Sequence, residues 1–158
     1  MFRKHYPWLT AGLTVAVVAI SSPALAQQLK VTQTIVEKAI DQPYAQAVAK
    51  IEAAIKGARF MIIGEPNYQQ MQRMVGRERR GAKAYFIFRP DLGTPVFDND
   101  FNAAMEIPLK ILIYEADSRK TIVRYKLPSS ALADYRGLGG LGKDLDTVLD
   151  NIVAAASK

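Results

Sequence analysis

Apolar positions along the chain follow two rhythms. From Tyr44 onward they recur three or four residues apart, at Tyr44, Ala47, Val48, Ile51, Ile55 and Ala58, which sets one face of a helix against a core. Asp41 is placed to cap this helix, Pro43 suits its first turn and Gly57 helps to end it. The same rhythm returns near the C-terminus, where Leu145, Val148, Leu149, Ile152, Val153 and Ala156 form the stripe of a helix starting at about Asp144. Between and before the helices the pattern shortens to alternation and to β-branched or aromatic runs. It predicts strands over 29–39, 59–64, 84–88, 109–114 and 121–125, with a short polar helix over 67–76. Asp117-Ser118-Arg119 predicts a hairpin between the last two strands, Gly93-Thr94-Pro95 a tight turn, and Gly137 to Gly142 a flexible run.

The order is therefore β-α-β, further strands, then α. Strands and helices segregated in this way predict the α+β class, with helices packed on one face of a mainly antiparallel sheet. Neither a repeat nor a low-complexity segment interrupts it.

The N-terminus follows a different pattern. Arg3 and Lys4 precede an apolar stretch from Trp8 to Ile20, and Ala24-Leu25-Ala26 supplies the small residues of a cleavage step. The stretch is shorter than the ~20 residues needed to span a bilayer core. Residues 1–26 are thus expected to be a cleavable secretory signal, with Gln27 the mature N-terminus, 27–158 a single domain without a membrane anchor, and the destination periplasmic or secreted. Loss of Arg3 and Lys4 lowers the net charge from +6 to +4. The single histidine, His5, leaves with the signal, and the chain has no cysteine.

Two segments together carry a resemblance. Pro90-Asp91-Leu92-Gly93-Thr94-Pro95, followed by Ile107-Pro108-Leu109-Lys110-Ile111-Leu112-Ile113-Tyr114-Glu115 and then Val123-Arg124-Tyr125, resembles the pattern of domain of unknown function family 302, from about Val36 to the C-terminus. The resemblance implies a two-layer β-α-β4-α fold of the TATA-binding-protein-like type and the possibility of a homodimer. The chain departs from the pattern at Phe88-Arg89, where many members have Gly-Asn. It departs again at Glu65-Pro66-Asn67, where many have Ile-Asp-His, so no role of that histidine carries over.

The absence of imidazole and thiolate from the mature chain excludes Ser-His-Asp and Cys-His relays, and with them the usual structural zinc and axial-histidine haem sites. No cofactor is expected. Three constellations remain. Met71 and Met74, spaced i, i+3, offer two thioethers to Cu(I), although two sulfurs make an incomplete site and the simpler expectation is that they fill a core. Asp98, Asp100 and Glu106 could gather round a hard cation, but Asp98 or Asn99 is more simply a helix cap. Arg77, Arg79, Arg80 and Lys83, opposed only by Glu78, form a basic run able to grip phosphate or carboxylate groups. Glu65 and Glu115 could act as paired carboxylates only if the fold brought them together.

The expectation is a non-enzymatic binding or interaction module, with its ligand in an apolar groove between helices and sheet. Its partner would be an anionic envelope component or an acidic protein, contacted through Arg77, Arg79, Arg80 and Lys83, and not nucleic acid. A Cu(I)-handling protein and a carboxylate- and arginine-based enzyme are the alternatives.

Overall fold

The structure, a computed structural model, describes residues 34–116, 118 and 120–157. The expected signal over 1–26 lies outside the described residues, as do 29–33 of the first predicted strand and Asp117 and Arg119 of the predicted turn.

Strand alternation is clearest in the centre of the sheet. β3 (Ala82–Phe88), β4 (Leu109–Glu115) and β5 (Thr121–Lys126) form an antiparallel meander in which Tyr85 lies opposite Ile111, and Ile113 opposite Val123. Pairing at a period of two brings Tyr85, Ile87, Ile111, Ile113, Val123 and Tyr125 onto one face, and all are buried. β1 (Ile35–Ile40) adds to β5 and β2 (Met61–Gly64) adds to β3, giving the order β1-β5-β4-β3-β2 with every neighbouring pair antiparallel. β1 and β2, consecutive in sequence, thus occupy opposite edges. α1 (Tyr44–Gly57) links them across the whole sheet.

α1 buries Ala47, Ile51 and Ile55, and α5 (Gly139–Ala155) buries Leu145, Leu149, Ile152 and Val153 against the same sheet face. The result is the expected α+β arrangement of one antiparallel sheet covered by helices on one face. The other face, at the alternate positions, carries Ile35, Glu37, Leu112, Ile122 and Arg124, with Glu37 and Arg124 paired at 3.3 Å.

Local expectations fail where a residue read as a breaker is used for packing. The run from Gly137 to Gly142 is not a flexible linker, since α5 begins at Gly139. Gly142 is buried against α4 (Pro128–Ala131), where a Cβ would lie 2.7 Å from Ser129 Cα, so the missing side chain lets two backbones touch. Gly93-Thr94-Pro95 lies inside α3 (Pro90–Asn99) and is not a turn, because Pro90 supplies a first-turn φ and Gly93 N–H bonds back to Arg89 O. The residue that caps the following 3-10 turn (Phe101–Glu106) is Asp100, not Asp98 or Asn99; its Oδ1 accepts from Asn102 N at 2.9 Å. Asp41 does not cap α1 either. The N-cap position is Pro43, whose carbonyl accepts from Ala47 N, and Thr121 Oγ1 pins the preceding bend by donating to Gln42 O at 2.8 Å.

Candidate functional site

The β2–β3 connection builds the most distinctive surface. α2 (Tyr68–Met74) is capped by Asn67, whose side chain accepts from Gln70 N at 3.0 Å. The helix ends at Met74 and the chain turns away at Gly76, which takes φ +70°, with Gly76 N–H bonding Arg73 O and Arg77 N–H bonding Gln72 O. The chain then returns to β3, fastened by Gln69 Nε2 donating to Arg79 O at 2.9 Å and by Arg73 Nε on Glu78 at 3.2 Å.

Between this return and the end of β4 lies an open cleft of about 770 Å³. Tyr68, Gln69 and Gln72 of α2 line one side, Tyr114 and Glu115 of β4 the other, and Arg79 and Arg80 lie at the loop. Aromatic faces, carboxamides and guanidinium groups thus share the lining with the carboxylate of Glu115, and the guanidinium N–H donors have the geometry that suits phosphate or carboxylate oxygens. Glu78 also reaches the cleft, but its carboxylate is engaged by Arg73.

The structure divides the predicted basic run. Arg79 and Arg80 enter the cleft; Arg77 stands on the exposed loop beside it. Among the described residues no carboxylate pairs with Arg77 or Arg79. Lys83 does not join them. Its position on β3 aims it at the helix-covered face, where it is bonded to Glu65 at 2.7 Å and lies 4.8 Å from the centre of the Tyr85 ring. Burial pulls its ammonium pKa down, but Glu65 and Tyr85 outweigh that and the net shift is upward. Burial likewise pushes the Tyr85 phenol up to about 12; its hydroxyl lies 3.4 Å from Glu52, which Lys56 in turn holds at 2.8 Å. This charge network ties α1 to the sheet.

The methionines are not core filler. α2 buries no residue, and Met71 and Met74 are 49% and 81% exposed. A helix this short, seated only at the sheet margin, has no second layer to bury them. Met61 and Met105 are exposed as well. Asp98 is exposed, Asp100 is used as a cap, and among the described residues no three His, Cys, Asp or Glu side chains are grouped to hold a metal ion. Glu65 is taken by Lys83 while Glu115 faces the cleft, and no contact among the described residues brings the two together.

The apolar groove expected between helices and sheet would lie where α3 and α5 meet the strands, and one opening there is small. The opening there, walled by Phe60, Phe88, Leu92, Val96 and Leu145, is about 20 Å³, room for roughly one water. Tyr68, Gln72 and Tyr114 were not singled out as binding residues from the sequence. The available signal was the polar face of α2, where Gln69 and Gln72 sit i, i+3, opposite Met71 and Met74.

A family model described as "Domain of unknown function DUF302" matches residues 36–157. The fold is similar to that in the crystal structure of an uncharacterized conserved protein DUF302 from Bacillus stearothermophilus, with a TM-score of 0.70 and 11% identity over 77% of this chain and 97% of that one. No curated protein matches the sequence.

Proposed function

Since the chain belongs to the DUF302 family, a membership that carries a fold and no activity, we propose on its own residues that it is an exported, non-enzymatic binding module for an anionic ligand, held in the cleft between α2 and the end of β4. The observation that carries this is the pair Arg79 and Arg80 on a cleft of about 770 Å³ that also presents Tyr68 and Tyr114. Guanidinium groups bind phosphate and carboxylate oxygens through paired N–H donors, and aromatic rings beside them add planar contact. Export follows from the pattern of residues 1–26.

The form to test is the one isolated from the cell envelope, with an intact mass starting at Gln27. Calorimetric titration with inorganic phosphate, glycerol phosphate and citrate should detect binding to at least one of them, and Arg79→Ala should weaken it about tenfold or more, the loss of one charged hydrogen-bonding group. Absence of binding to all of them, or equal binding by the variant, overturns the proposal.

A further inference from the structure

Eleven consecutive residues, Gln70 to Arg80, are all exposed, and this is not an unstructured loop. The Asn67 cap, the Gly76 turn, the Gln69 to Arg79 bond and the Arg73–Glu78 pair fold it into a finger that stands on β3 by its own hydrogen bonds. At its far end the finger exposes Met71, Met74 and Val75, at 49%, 81% and 68%. Single exposed apolar residues are ordinary, but three on one protruding, ordered helix end are a concentrated apolar surface. The same segment, 70–80, carries Arg73, Arg77, Arg79 and Arg80 against one acid, Glu78, a net +3 within it.

Taking the Arg79 cleft as an anion site, as proposed above, we infer that the finger docks the protein on a bilayer carrying anionic phospholipid. Met71, Met74 and Val75 enter the boundary between headgroups and acyl chains, and Arg77 and Arg79 meet headgroup phosphates. An exposed apolar helix end needs no complementary groove in a bilayer, and arginines flanking it in the chain can hold their charges at headgroup level with their stems in the apolar layer. The sign of the charge decides between this tip and the exposed aromatic patch at the end of α3. Phe97 and Phe101, with rings 5.6 Å apart, and Met105 sit among Asp98, Asp100 and Glu106, which an anionic surface repels.

The test is sedimentation with vesicles of phosphatidylcholine alone and of phosphatidylcholine mixed with phosphatidylglycerol. The wild type should pellet with the mixed vesicles and much less with the neutral ones. The double variant Met74→Ser, Val75→Ser should partition about tenfold less strongly or lower still, as expected for withdrawing two apolar side chains. Phe101→Ser should behave as wild type. The Ser variant should also keep its affinity for the soluble anions used above, which shows that it is folded and its cleft intact. Undiminished vesicle binding by that variant, equal binding to neutral vesicles, or no vesicle binding by the wild type overturns the inference. Soluble-anion binding that persists in any of those cases leaves the cleft proposal standing. Vesicle binding that depends on Met74 and Val75, with no soluble anion bound, overturns the cleft proposal instead.

Discussion

Asp150 stands between two donors, Lys38 Nζ at 2.7 Å and the hydroxyl of Tyr125. The Lys38 hydrogen bond, and then that of Tyr125, hold its carboxyl below the usual carboxylate range. A depressed folded-state pKa contributes stability that is present above the unfolded value of about 3.9 and lost as pH falls through the folded value. With the Asp150 side chain 56% exposed, solvent screening keeps that contribution small. Thermal melts should therefore show Asp150→Asn less stable than wild type at neutral pH, with the gap closing as the pH is lowered past the unfolded value of about 3.9. A gap that persists in acid would mean the pairing is not its cause. At this same scale, sequence reading succeeded for Ile51 and Leu149, which belong to long stripes, and failed for Met71 and Met74. Their spacing fits a buried face equally well, and the seven-residue α2 offers no longer stripe to test it against.

Among the elements, the central strands were legible because alternation and β-branching coincide in them, as in Thr121–Lys126 with every second residue buried. α3 and the start of α5 were not, because Gly93, Pro95, Gly139, Gly140 and Gly142 read as breakers when seen one at a time. What licenses helix there is contact with another part of the chain. The α4–α5 contact makes this testable, since Gly142→Ala drives a methyl carbon to within 2.7 Å of Ser129 Cα, an atom of backbone that cannot swing aside. We expect this variant to lose about 1–3 kcal/mol, seen as a lowered Tm; an unchanged Tm would show that the two helices separate freely. The candidate cleft was half legible for the same reason. Arg79 and Arg80 announce themselves by charge, whereas Tyr114 and Glu115 reach the cleft only through the β3–β4 register, in which Tyr114 lies opposite Ala82.

At the scale of the molecule, the sheet joins the first strand of the described chain to the last. Ile35 lies opposite Lys126 and Ile40 opposite Thr121, so the first strand closes only on the last. A chain stopped after Glu115 retains four strands but lacks Val123, Tyr125 and every buried residue of α5. It should unfold without a cooperative transition in circular dichroism; a sharp melt would show that the meander is not needed to close the core. The wiring also sets a timetable for a chain that crosses a membrane N-terminus first, as proposed here. β1 emerges at the start and waits, without its strand partner, until β5 at Thr121–Lys126 has followed. The topology thus delays closure of the sheet until the last strand has passed, keeping the earlier polypeptide threadable over most of its length.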